Sequence, residues 1–231
     1  MKKILITVIT SFLFVTNAMS IDFGSIRPGV GVSTSTAGFY AQGTERNCNE
    51  DCSVVSLTQS AGAFQDDFNS IFVEVGNDYL AIGLDYVVDA IHTPENINEQ
   101  GDNGTTGTKT NKASADFENL TTMYIKANPL HGIRFVGGLY LKAGHASVDV
   151  NTTESLSSGR AYASTSTSGY MAGIGYELDV PNGISIRIEA VGHQFDDVSA
   201  DNGVAATGNR NVIEVSDMMG ARASLSLVKT F

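Results

Sequence analysis

Alternation with a period of two dominates the chain. Stepping back by two from Phe231 gives Lys229, Leu227, Leu225, Ala223, Ala221 and Met219, while the other parity gives Thr230, Val228, Ser226, Ser224, Arg222 and Gly220. One row is mostly apolar and the other small or polar, which is the signature of a two-faced strand; a helix would space its apolar positions by three and four. The same pattern predicts seven more strands. Residues 29–43 place Val30 and Val32 on one face and then Phe39 and Ala41 on the other parity, so a bulge is expected near Ala37 and Gly38. Residues 66–76 alternate Ile71, Val73 and Val75 with Phe72 and Glu74, Asn77 and Asp78 make a two-residue hairpin turn, and residues 79–88 give the clearest alternation of all. Residues 115–128 form a fourth strand of open parity, because Leu120 and Tyr124 compete with Met123 and Ile125. Further strands cover 133–150, a stretch ending at Leu178, and a stretch opening at Ile184 after the turn Pro181, Asn182, Gly183. Polar segments at 44–65, 90–113, 151–160 and 196–211 separate these strands, and the short connections at 77–78, 129–132 and 181–183 alternate with them.

The other end of the chain gives this sheet a destination. Residues 1–20, MKKILITVITSFLFVTNAMS, have a basic start, an apolar centre and small residues before a cleavage point after Ser20. This is the pattern of a secretory signal peptide, and the apolar run falls short of the ~20 residues that span a bilayer. Residues 21–231 then form one domain. With a signal peptide, alternating strands and a terminal aromatic, the chain resembles the small bacterial outer-membrane β-barrels of the OmpA and opacity type. The resemblance implies an all-β fold: an eight-stranded antiparallel up-and-down transmembrane barrel with short periplasmic turns and long extracellular loops. It also implies location in the cell outer membrane, contact with outer-membrane lipid, and a C-terminal signal read by the barrel assembly machinery. Leu225, Leu227 and Phe231 match that signal, and Lys229 departs from it. A soluble lipocalin-type barrel would also have eight strands, but with its apolar face inward.

Charge and cysteine content narrow the partners. The net charge of −11 becomes −13 when Lys2 and Lys3 leave with the signal peptide, which sets the chain against nucleic acid. Cys48 and Cys52 are the sole cysteines and lie close together, so an oxidising compartment is expected to join them in a small loop.

Candidate chemistry lies on the minority face and at the strand ends. Glu74, Asp85, Lys142, Glu177, Arg187, Glu189 and Arg222 share the glycine-bearing parity, so a membrane barrel would turn them into its lumen. An eight-stranded lumen is just wide enough for side chains to fill, so these charges are expected to neutralise one another and plug it. A narrow porin-like channel is the alternative, and a lipid-modifying enzyme a third reading, for which His145 and Ser147 share the parity of Leu139 and Leu141. No acid stands at a spacing that would orient such a histidine, so no catalytic residue is assigned. His131 and His193 stand alone. Pairing strands 2 and 3 about Asn77 and Asp78 sets residue numbers summing to 155, which brings Asp66 and Asp67 beside Asp89; Asp116 and Glu118 sit at the same height on strand 4. Like charges so placed destabilise a sheet, and calcium or magnesium could offset them. No other cofactor is expected. The sequence favours a structural or surface-interaction role with an unknown extracellular ligand.

Overall fold

The computed structural model describes residues 26–49, 53–101, 108–154, 162–203 and 209–231. The signal-peptide residues and Cys52 lie outside these, and with Cys52 the expected cysteine crosslink; Cys48 is buried. The strands are β1 (Arg27–Asn49), β2 (Val54–Gly76), β3 (Leu80–Val87), β4 (Ile91–His92), β5 (Asn96–Gly101), β6 (Thr108–Ala127), β7 (Leu139–Glu154), β8 (Thr165–Val180), β9 (Ile184–Phe195), β10 (Val198–Asp201) and β11 (Asn209–Thr230). Eight of them close a ring in the order β1, β2, β3, β6, β7, β8, β9, β11, with β11 pairing back onto β1; every pairing is antiparallel. Closure leaves the ring without an open sheet edge, as a bilayer demands.

The wall is apolar outward. Val32, Ile82, Ile125, Leu141, Ile188 and Leu227 are each more than half exposed, and all point away from the lumen. Side chains of the other parity are buried, and many are polar or charged. That inverts a soluble barrel, so the lipocalin-type alternative is set aside. The C-terminal strand follows its expected parity: Leu225, Leu227 and Phe231 are exposed on the outer wall. Lys229 departs because its ammonium donates to the carbonyl of Asn182 in the β8–β9 turn and lies 5.5 Å from the Phe231 ring centroid.

Several long polar segments are strand rather than loop. β1 and β2 pair continuously from Arg27↔Gly76 to Asn47↔Ser56, so most of residues 44–65 prolongs the hairpin beyond the lipid. β11 continues alongside β1 to Asn49↔Asn209, and β10 adds a short outer strand. Residues 90–113 likewise contain β4, β5 and the start of β6. The connection at the short end between β6 and β7 runs longer than the sequence suggests, as a series of turns closed by Ile133 N–H to Leu130 O at 3.1 Å and Gly137 N–H to Ile133 O at 2.7 Å.

Two parity problems in the sequence have physical answers. Ala37 and Phe39 both face inward, so no bulge interrupts β1 there. The lumen itself changes character: Ala37, Phe68, Val87, Ile91, Leu120, Ala146 and Val148 form an apolar cluster at its outer end, flanked by Phe39, Phe64, Phe117 and Phe195. Apolar side chains therefore move to the inner face where the polar lumen stops. A bulge does occur against β11, between Tyr40 and Gln42, where Asp217 has φ 51°. In β6 the register slips between Glu118 and Thr121 at Asn119, whose φ is 56°. Below the bulge Tyr124 points in and Met123 and Ile125 point out; above it Phe117 turns inward.

Candidate functional site

The lumen holds the charged residues in three tiers. Nearest the short turns, Glu74 of β2 receives both terminal nitrogens of Arg187 from β9, and Arg187 also reaches Glu177 of β8 at 3.0 Å. Lys126 of β6 donates to Glu177 at 2.9 Å and Glu74 at 3.4 Å. In the middle tier Lys142 of β7 bonds Glu189 of β9 at 2.9 Å. Higher still, Arg222 of β11 donates to Asp85 at 3.3 Å, Ser35 at 2.9 Å, Ser33 at 3.1 Å and Ser70 at 3.0 Å. All seven lumen charges picked from the sequence are thus brought inside. Lys126 is the member that sequence reasoning missed, because the Asn119 bulge hides the parity of β6. It evens the count: Glu74, Asp85, Glu177 and Glu189 face Lys126, Lys142, Arg187 and Arg222. A neutral set is what a low-dielectric interior tolerates, since each unpaired ion there costs several kcal/mol.

Two tyrosines lock the tiers together. Tyr124 of β6 lies across its cross-strand partner Gly83 of β3 and donates to Glu74 at 3.2 Å. Tyr140 of β7 lies the opposite way, across its partner Gly175 of β8, and donates to Glu189 at 2.9 Å. The lysines cross between them: Lys142 sits 4.0 Å from the Tyr124 ring centroid and Lys126 5.5 Å from that of Tyr140. Each ring stabilises the ammonium on the neighbouring strand, which matters because Lys126 and Lys142 are direct cross-strand partners and would otherwise repel. The two glycines are the sequence signal for this arrangement, since a side chain at either would occupy the space of the ring.

Toward the periplasm the lumen opens into a cup of about 650 Å3, with Arg27, Asp78, His131 and Arg134 at its lip. Toward the outside it meets the aromatic cluster, where an apolar void of about 40 Å3 remains among Phe39, Phe64, Phe117 and Phe195. The charged tiers thus lie between the open cup and this apolar cluster.

The acidic rim differs from its sequence reading. The two-residue loop is Asp78 and Tyr79, closed by Asn77 N–H to Leu80 O at 2.8 Å, while the Asn77 side chain accepts from Tyr79 N–H and Leu80 N–H. The register consequently pairs Gly76 with Ala81 and Ser70 with Val87, a sum of 157 in place of 155, and Asp66 is not opposite Asp89. Asp89 instead accepts from the backbone and side-chain amides of Asn69, both at 3.0 Å. Asp67 lies exposed beside Asp66. Asp66, Asp116 and Glu118 gather about His92: its backbone N–H donates to Asp66 at 2.8 Å and its Nδ1 lies 2.8 Å from Asp116. Among the described residues no three or more carboxylate, histidine or cysteine side chains are placed to share a metal ion.

His92 stands above the lipid on β4, whose other residue, Ile91, is 1 % exposed inside the apolar cluster. The hydrogen bond to Asp116, helped by the charges of Asp116, Asp66 and Glu118, raises the His92 pKa above 6.5. A raised folded-state pKa gives stabilisation that is complete below about 6.5 and fades as pH rises through the folded value. Hydrogen exchange at the amides of Ile91 and His92, corrected for intrinsic rate, should therefore be slower at pH 6 than at pH 8. In His92→Phe that pH dependence should vanish; an unchanged dependence would assign it elsewhere.

His145 and Ser147 both point outward and are exposed. The His145 ring meets Tyr170 edge-on at 5.6 Å, and among the described residues no carboxylate is hydrogen-bonded to it. His193 is buried in the lumen, stacked 6.0 Å from Phe195, and His131 lies 3.7 Å from Asp78 at the lip of the cup.

No protein-family profile and no curated protein matches the chain. Solved structures do. The outer membrane protein OprG from Pseudomonas aeruginosa superposes with a TM-score of 0.58 at 11% identity, over 88% of this chain and 95% of that one. Ail, the attachment invasion locus protein of Yersinia pestis, gives 0.39 at 12% identity, over 87% and 99%. Neisserial surface protein A gives 0.35 at 10% identity, over 86% and 97%. The likeness to OprG is one of fold. With that fold and an apolar outward-facing wall, the protein is an eight-stranded outer-membrane β-barrel.

Proposed function

We propose that this barrel is closed to solutes and serves as a structural and surface-interaction protein rather than a channel or an enzyme. The observation that carries the reading is the Glu74, Arg187, Glu177, Lys126 network, which bridges strands from different sides of the lumen with four mutually neutralising charges. A wet channel would leave such groups hydrated and individually mobile. Here Arg187 and Glu74 are buried, and the aromatic cluster above them offers a solute no polar partner. The exposed strands beyond the lipid are then the part of the molecule available for function. Membrane lipid covers the wall, and the assembly machinery reads Leu225, Leu227 and Phe231 on the way in.

Planar-bilayer recording of the purified protein tests closure. Wild type is expected to show no steps above the bare-bilayer background. Replacing side chains of the aromatic cluster by Phe64→Ala with Phe117→Ala should leave the barrel folded and still non-conducting, because the charged tiers remain. Steady single-channel steps in the wild type would replace this reading with the porin-like one.

A further inference from the structure

Among the described residues, the part of β2 beyond the lipid has one strand partner and one open edge. β1 pairs it on one side, whereas pairing with β3 begins only at Ser70↔Val87. Among the described residues no strand pairs with the other side of residues 57–64, which are exposed with the exception of half-buried Phe64. The groups facing that edge can be identified. Asn69 O accepts from Val88 N–H and Asn69 N–H donates to Asp89, so Asn69 turns its backbone away from β1. The register with β1 is uninterrupted from Asn69 to Leu57. Backbone polarity alternates along a strand, so Leu57, Gln59, Ala61 and Ala63 present N–H and C=O to the open side.

This edge lacks the devices that keep edges from pairing. Residues 53–65, SVVSLTQSAGAFQ, contain no charge and no proline. The other short outer strands do carry charges: β5 includes Glu99, and β10 is four residues long and ends on Asp201, which Arg210 engages. Edges are normally blunted by charge, proline or shortness. Two edges here follow that rule and the longest does not.

We propose that residues 57–64 are a docking edge for an extended segment of another polypeptide outside the cell, added antiparallel to β2 by β-augmentation. This rests on the surface-interaction reading and names its site. A second copy of the chain is the wrong occupant. Two copies in one membrane share an orientation, so a two-fold axis along the membrane normal presents both β2 strands running in the same sense, whereas one edge pairs with itself antiparallel. Charge selects the segment. The edge is neutral, but its membrane end borders Asp66 and Asp67 on a protein of net charge −11. An antiparallel occupant brings its N-terminal end there, so a neutral, alternating segment with basic residues at its N-terminus fits.

The test uses full-length barrel in detergent micelles and a fluorescein-labelled peptide of alternating threonine and valine headed by lysines. Fluorescence anisotropy should show saturable binding. The same peptide N-methylated at alternate amides on its pairing edge should bind at least about tenfold more weakly, since backbone donors carry the contact. Gln59→Pro with Ala61→Pro removes two edge-facing N–H groups and no β1 ladder bond, and should weaken binding similarly; Gln59→Val keeps the N–H and should bind as wild type. Equal binding of the N-methylated peptide, or none at millimolar peptide, overturns the proposal, and because the wild-type barrel is used, a misfolded proline variant cannot obscure that result. A wild type that is dimeric in micelles and becomes monomeric in the proline variant would also overturn it, in favour of a second copy. Failure here leaves bilayer conductance, and with it the closed-lumen reading, untouched.

Discussion

Arg187→Ala is expected to cost the barrel on the order of 3–5 kcal/mol, because it strips two largely buried carboxylates, at the inner end of the periplasmic cup, of their main counter-ion. Arg187 is 4 % exposed, and it supplies both nitrogens received by Glu74 and one received by Glu177. Without it Lys126 alone faces two carboxylates. The double variant Arg187→Met with Glu74→Gln removes one charge of each sign and leaves Lys126 paired with Glu177. It should recover most of the loss, since a buried ion pair replaced as a whole is often near neutral whereas a broken one is not. The chain has no tryptophan, so unfolding in urea is better followed by circular dichroism and by electrophoretic mobility of the folded barrel. An Arg187→Ala midpoint equal to wild type would mean that water already screens these carboxylates, and the lumen would then be a channel.

How much of this was legible beforehand follows from what each signal depends on. Strand identity depends on local alternation, so β3 and the membrane part of β11 are plain in the sequence. Lumen charges depend only on parity within such strands, and seven of the eight are readable. Lys126 is not, because one inserted residue at Asn119 reverses the parity of β6 and two alternations overlap there. Strand ends were the weakest reading, since outside the lipid a strand has no apolar face to keep. Residues 54–65 pair with β1 through backbone bonds that leave no hydrophobic pattern. The acidic rim is regrouped by a shift in the turn. Moving the loop from Asn77 and Asp78 to Asp78 and Tyr79 displaces every partner of β2 by two residues, enough to part Asp66 from Asp89 while leaving all side chains on their proper faces. The His92 contacts depend on strand β4, two residues long, which no periodicity can announce.

The glycines facing the tyrosines carry the other large effect. In Gly83→Val the new side chain would enter the space of the Tyr124 ring, a residue 2 % exposed with the Lys142 ammonium 4.0 Å from its ring centroid. The ring must leave its seat, losing the hydrogen bond to Glu74 and the contact with the Lys142 ammonium together. Overpacking of this kind costs about 1–3 kcal/mol and a broken buried hydrogen bond about 1–3 more, so a total of about 2–6 kcal/mol is expected. Gly175→Val should act alike on Tyr140 and Glu189, on the other side of the β6–β7 pair. The mechanism makes a claim about coupling that bulk stability does not. Once Tyr124→Ala has emptied the seat, adding Gly83→Ala should cost almost nothing, although Gly83→Ala alone should destabilise clearly. Urea midpoints for wild type, both single variants and the double variant give the coupling free energy directly. Additive costs would show that Gly83 is needed for its backbone and not for the ring, and that the tyrosines fill the lumen without locking it.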